Sequence, residues 1–397
     1  MNRLIIIGNG FDIAHNLKTK YSDFIAHYWQ QVNETNYSDD FISFGVAGYI
    51  LDNCHSLKDV VNYLGENLGE RLSRKNYSPD FFHKNNSAIK VHNEFFIRIN
   101  QKYDNANWVD IEMEYFESLK RILNRQINTT EDKFEEESFE KILKLNNEIA
   151  QIAKSFETYL VKNVVPNIKT HYNNDVAELF SNEEIYQNEI DEFYDEFPRK
   201  FVEKTLKNKF QTKLDGKIPI RRFDYTYILN FNYTNTVENY LNNYTRNAKI
   251  INIHGELQSS KNPINLGFGD ERNNYYSTIE DHNQNEYLRF MKSFQYTKNN
   301  NYKSLFDYIE DDFFQVQIMG HSCGLSDRTL LNAIFEHPNC KSIKVFFHQY
   351  DEALDNGETD NHSEVVRNIS RHFTQKTNMR EKIVNRIRCV ELPQWGK

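Results

Sequence analysis

The chain opens on Leu4–Ile7, an unbroken β-branched and aliphatic run that passes straight into Gly8-Asn9-Gly10, with Asp12 two places later. A run that is apolar at every position reads as a strand buried on both faces, the habit of a parallel sheet. Such a strand needs neighbours, and the next convincing apolar runs come only after residue 225. They are YTYILNF (225–231), KIINIHG (249–255), FQVQIMGH (314–321), SIKVFFH (342–348) and RCVEL (388–392). Helical patterns lie between several of them, at 234–244, 327–336 and 363–373. Strands alternating with helices predict a Rossmann-like α/β fold, a parallel sheet with right-handed crossovers.

The segment between the first strand and the rest has another texture. It is charged, periodic and glycine-poor: 131–164 repeats apolar residues at helical spacing, and 194–210 reads as helix with Pro198 near its start. The expected organisation has three parts. Residues 1–20 form the first strand and nucleotide loop, 21–215 a mainly helical insertion, and 216–397 the remainder of the α/β domain. The asparagine-rich TKNNNYK (297–303) reads as a mobile loop.

Composition narrows the class. A chain of 397 residues can bury a large core, and 39% hydrophobic with 26% charged residues is ordinary for a globular protein. Four well-separated cysteines without a CxxC pair read as free thiols of a reducing cytosol. Thirteen histidines are scattered without HExxH, so no metal is predicted. The amino terminus lacks a signal-peptide profile and no run approaches membrane-spanning length, which points to a cytoplasmic protein without a membrane partner. A net charge of −9 weighs against nucleic acid as a partner.

In open parallel sheets the ligand lies outside the carboxyl ends of the strands, where the crossover direction switches. The strand ends here are Gly8-Asn9-Gly10, Phe231–Thr234, His254-Gly255, Gly320-His321-Ser322 and His348–Tyr350, rich in Gly, Asn, His and hydroxyls. Gly8 and Gly10 allow a close backbone approach to a phosphate. Ile13 replaces the third glycine of GxGxxG, however, so a plain strand-to-helix turn is an equal alternative. On this reading Gly8→Val abolishes nucleotide binding and leaves a folded protein. Asn232 is either turn filler beside an Asn235–Glu238 capping box or a carboxamide that orients a ribose hydroxyl or a water. His254 ends a buried strand, and Gly255 clears room beside an imidazole able to take a proton. Gly320–Gly324 matches the Gly-x-Ser-x-Gly register of a hydrolase elbow, yet Ser326-Asp327 equally starts a helix. NWVDIEMEYF (107–116), with Trp108, Asp110, Glu112 and Glu114, is either a solvated acidic helix start or an acidic and aromatic wall over the site.

Taken in order, RLIIIGNGFDIAHNLKTKYSDFI, NWVDIE, ILNFNYTNT, INIHGEL and IMGHSCGLSD resemble the AbiH family of bacterial abortive-infection proteins, over most of the chain to at least residue 335. This implies a role in defence against bacteriophage, in which infected cells stop growing or die. The later motifs are similar, more distantly, to Sir2-like NAD-consuming domains of other defence proteins. That likeness implies Asn232 as catalytic asparagine and His254 as base, with Gly8, Gly10, Gly320 and Ser322 lining the dinucleotide. Asn9, Asp12, Thr234 and Asp327 join them as nucleotide-pocket residues. Two positions depart from the pattern: Thr234 stands at the usual aspartate, and Gly-Asn-Gly-Phe-Asp replaces Gly-Ala-Gly. The implied function is NAD binding and hydrolysis of its N-glycosidic bond on activation, with a non-catalytic nucleotide sensor and a nuclease effector as alternatives. A phage-derived activator or partner protein fits a toxic enzyme held off until infection, and a homo-oligomer is compatible with it.

Overall fold

The computed structural model describes residues 1–32, 36–45, 54–68, 89–105, 111–127, 132–168, 173–181, 184–211, 219–241, 248–282 and 284–395. Five parallel strands make the central sheet: β1 (Asn2–Ile7), β2 (Thr226–Asn230), β3 (Ala248–Asn252), β4 (Phe314–Met319) and β5 (Cys340–Phe346). Their order is β5-β4-β1-β2-β3, with Ile7 in register with Asn230 on one side and Met319 on the other. The amino-terminal strand is therefore the middle of the sheet, as its two-sided apolarity predicts.

Alternate residues of β1 serve opposite faces. Leu4 and Ile6 join Leu229, Ile251, Val316 and Ile318 beneath helices Asn301–Asp311, Arg328–Phe335 and His362–His372. Ile5 and Ile7 join Ile228 and Met319 beneath helices Asn9–Ala14 and Asn174–Ser181. Each such aliphatic side chain contributes about 1.5–3 kcal/mol when fully buried. Arg3 is the one long charged side chain of β1. It is buried and donates to the carbonyls of Leu179 (3.2 Å) and Phe180 (2.8 Å) at the carboxyl end of helix Asn174–Ser181. A guanidinium there satisfies orphan carbonyls and complements the helix dipole.

Residues 17–164 build a second apolar core from helices Tyr21–Gln31, Leu57–Leu68, Glu94–Asn105, Ile111–Ile127 and Asp132–Tyr159. A three-stranded antiparallel sheet (Asn36–Ser38, Ile42–Gly45, Ile89–Val91) lies among them. Leu266, Phe268, Tyr276, Ile279, Tyr287 and Met291, from the chain after β3, complete this core. Residues 185–223 form a further cluster with Met1, with Pro198 as N-cap of the helical run that starts at Arg199.

Three local expectations are corrected. RCVEL is not a sixth strand: it makes one parallel bridge, Phe347 to Glu391, and the exposed Glu391 suits an edge. Of the helix expected over 234–244, Thr236–Tyr240 form a 3-10 turn, where β-branched and Asn residues disfavour an α-helix; Leu241 is helical, and 242–244 lie outside the described residues. TKNNNYK is anchored: Asn299 donates to Asn262 Oδ1 (2.8 Å), and Asn301 donates to the Asn252 carbonyl at the end of β3 (3.0 Å).

The ends of β1 and β4 touch through backbone. Gly320 has φ +73°, and a Cβ on it would stand 2.1 Å from the Phe11 nitrogen. Gly320→Ala combines left-handed strain with that clash, and is expected to lower the unfolding free energy by at least about 2 kcal/mol. Urea denaturation measures it; wild-type stability would show that these two strand ends do not pack this way.

Candidate functional site

A cavity of about 440 Å³ opens at the carboxyl edge of the sheet. The chain adds β2 and β3 on one side of β1, then crosses back to add β4 and β5 on the other. The cavity is thus at the switch point, where loops diverge and leave a crevice. Gly8, Asn9, Gly10, Asp12, Asn232, Thr234, His254, Gly320, Ser322 and Asp327 all line it. Sequence reasoning gathered these residues from four separate strand ends.

At the end of β1 the glycines serve packing first. The Gly8 and Gly10 amides donate to the carbonyls of Met319 (3.1 Å) and Gly320 (2.8 Å), so neither is free for a phosphate. A Cβ on Gly8 would lie 2.5 Å from His321 Cα. Gly8→Val therefore drives β1 and β4 apart, and the expectation of a folded variant that merely loses binding is corrected. Asn232 is buried, and its Nδ2 donates to the Gly8 carbonyl (3.1 Å) while its own amide donates to Asn230 Oδ1 (3.1 Å). It ties the end of β2 to the loop of β1 and leaves its carboxamide oxygen as the remaining polar atom. Asn235 occupies the N-cap without a side-chain bond, so the expected capping box does not form.

Asp12 lies in the first turn of helix Asn9–Ala14. Thr234 donates its hydroxyl to Asp12 Oδ2 (2.6 Å), while Oδ1 is buried with no partner among the described residues. Burial pushes its carboxyl up to about 6, against the nearby polar groups of Thr234, Thr236 and Asn232, which favour the ionised form.

Opposite stands a chain of charged groups. His254 Nε2 is 3.0 Å from Asp327 Oδ1, and Lys292 Nζ is 2.7 Å from the same oxygen and 2.8 Å from Glu112 Oε2. Asp327 is the N-cap of helix Arg328–Phe335, but its carboxylate makes no cap bond and turns to His254 and Lys292 instead. Burial acts to raise its carboxyl, yet Lys292 and His254 hold it well below the usual carboxylate range. Burial likewise works against the Lys292 charge, and Asp327 with Glu112 overcomes it, keeping the ammonium protonated well above its ordinary range. An ionised Asp327 only accepts, so the proton between the pair belongs to His254 Nε2, and Nδ1 is where a lone pair stands when the ring is neutral. His321, pushed down to about 4 by burial, stays neutral; its Nδ1 accepts from the Cys323 amide (3.0 Å). In the Gly320–Gly324 turn the left-handed residues are Gly320 (φ +73°) and Cys323 (φ +53°), not Ser322, unlike a nucleophile elbow.

The helical body supplies the outer wall. Glu112 comes from helix Ile111–Ile127, Phe156 from the long helix Asp132–Tyr159, and Leu160 from the π-turn Leu160–Val164 that ends it. Glu112 thus fits the wall anticipated from NWVDIEMEYF. Glu114 turns to Lys102 (2.8 Å) and Arg121 instead, and Trp108 and Asp110 lie outside the described residues. Lys292 is the residue sequence reasoning missed. It starts a four-residue helix in an ordinary-looking amphipathic stretch, and its partners lie 180 and 35 positions away.

A doubly wound parallel sheet with a polar cavity at its switch point defines a Rossmann-like α/β protein. A family model described as bacteriophage abortive infection AbiH matches residues 4–349, and the chain belongs to that family, whose proteins act in phage abortive-infection defence. No curated protein and no solved structure matches the chain. The family match spans all five strands and every cavity residue named above from the strand ends. Among the described residues, no helix is long and apolar enough to cross a membrane.

Asp12 makes stability pH-dependent with a definite sign. Its raised carboxyl contributes stability that is present below about pH 4 and lost as pH rises through about 6, worth about 3 kcal/mol at 1.36 kcal/mol per unit. Asp12→Asn lacks that loss. The stability of the variant relative to wild type, from urea denaturation, is expected to rise by about that amount between pH 4 and pH 7. A constant difference would show that Asp12 is not held in a desolvated site.

Proposed function

We propose that the cavity binds a nucleotide, NAD foremost, and hydrolyses its N-glycosidic bond when the defence is triggered in the cytoplasm. The observation that carries this reading is a histidine held through Nε2 by an aspartate, lining a cavity that also holds a buried carboxylate with one oxygen unpartnered among the described residues. Cleavage of a nicotinamide riboside needs little acid catalysis, because the pyridinium leaves as a neutral base. Positive charge builds at the ribose C1′, and water adds there. His254 Nδ1 takes the water's proton as the oxygen bonds to C1′. Asp12 Oδ1 accepts a ribose hydroxyl and offers negative charge to the oxocarbenium-like centre. The Asn232 carboxamide oxygen, its nitrogen engaged with Gly8, orients the water or a hydroxyl. Tyr21 and Phe156 give the base an aromatic surface. With the Gly8 and Gly10 amides engaged, the phosphates turn to Lys20 and Ser22 at the amino end of helix Tyr21–Gln31.

Two observations favour the non-catalytic sensor as the second reading. The Asn232 donor is bound to Gly8, and Thr234 stands where Sir2-like domains carry an aspartate. Both readings leave the trigger to a phage-derived activator or partner protein.

Purified protein incubated with NAD, alone and with lysate of infected cells, is expected to release nicotinamide. His254→Ala is expected to lower the rate by about 10²–10⁴ and to abolish phage protection while remaining folded. Lost protection in His254→Ala without NAD turnover by the wild type would favour the sensor, and degradation of RNA or DNA the nuclease. Full protection by His254→Ala would make the histidine structural.

A further inference from the structure

We infer that Lys292 is a positioning residue: clamped between Glu112 of the helical body and Asp327 of the sheet domain, it keeps His254 neutral and correctly oriented. The inference rests on His254 as the base of the proposed reaction.

Lys292 has no exposed surface, and its ammonium is bonded to both carboxylates. Burying an ammonium is costly unless it is paired and hydrogen-bonded, and retaining one beside a cavity asks what it does there. The charge tally answers. Titratable and charged groups facing His254 are Asp327, Lys292, Glu112, His321 and Tyr233. His321 is neutral, and Tyr233 is held protonated by burial. The Lys292 ammonium offsets the Asp327 and Glu112 carboxylates beside the imidazole. Remove it and their negative charge is less balanced, which favours a proton on His254 at the expense of the lone pair a base needs.

Geometry makes the effect specific. Asp327 Oδ1 accepts from both Lys292 (2.7 Å) and His254 (3.0 Å), so the ammonium fixes the very oxygen that orients the ring. The Lys292 amide donates to the Phe268 carbonyl (2.9 Å), and the Gly267 amide donates to Glu112 Oε1 (3.3 Å). The whole clamp is therefore built on the segment that joins the helical body's core. Through it, any shift of helix Ile111–Ile127 reaches the histidine electrostatically, without moving a residue that touches substrate.

Selective ¹⁵N-histidine NMR titrations test this without a substrate. The proteins are the wild type, Lys292→Met, Lys292→Arg and Glu112→Gln, with His254→Gln assigning the resonance. Lys292→Met is expected to raise the His254 titration midpoint by about one pH unit or more, Lys292→Arg to stay close to wild type, and Glu112→Gln to lower it. An unmoved midpoint in a folded Lys292→Met protein would overturn the inference. Where circular dichroism shows that this variant does not fold, Glu112→Gln decides: no downward shift overturns it. NAD turnover measured on the same samples separates the two claims. Shifted midpoints with an inert wild type support the clamp and overturn only the hydrolase reading.

Discussion

Everything at the site follows from burying β1 on both sides. A strand with Leu4–Ile7 apolar throughout has no solvent face to spare, so it takes the centre of the sheet, between β2 and β4. Those partners lie more than 200 positions further on, and closing so long a loop costs only logarithmically more than a short one. Once paired, the three carboxyl ends are forced together. The Phe231 amide donates to the Ile7 carbonyl (2.9 Å) and the Gly8 amide to the Met319 carbonyl (3.1 Å). The crevice at that junction is a by-product of connectivity, and the polar residues at the strand ends inherit it.

This dependence also explains what the sequence disclosed. Apolar runs marked the five strands, with RCVEL wrongly as a sixth, and hence the five strand ends. His254, Asn232, Asp12 and Asp327 were legible because they are polar residues at points that topology makes converge. Elements at the periphery were less so. RCVEL has strand-like composition but sits at an edge, where one bridge satisfies it. The asparagines of 297–303 signal a loop by composition, yet their side chains bind backbone and hold it to β3. Lys292 left no mark at all: a lysine reads as solvated unless its partners are known, and those come from two distant segments.

Several site residues have structural and chemical uses that compete for the same atoms. The glycines at 8 and 10 would suit a phosphate cradle, but their amides and their missing side chains are engaged by β4. Asn232 spends its donor on Gly8 and keeps its oxygen. Asp327 stands where an N-cap belongs, but it leaves the helix amides and takes Lys292 and His254 as partners. Both readings of each residue were reasonable from sequence; which atom is engaged is decided only by tertiary contacts. A strand end that is also a packing junction therefore loses backbone donors and relies on side chains for its chemistry.

The cavity is also divided between two cores. Its floor of strand ends belongs to the sheet, while Phe156, Leu160 and Glu112 belong to the helical body. The apolar wall residues exclude water at little electrostatic consequence, but Glu112 does not: its charge is balanced by an ammonium that also holds Asp327. In a low-dielectric interior, such a shared cation couples the position of one core to the charge balance beside a histidine in the other. A defence protein must stay silent until infection. On the proposed reading, the long segment inserted after β1 is more than a tolerated loop, since it completes the charge balance around His254.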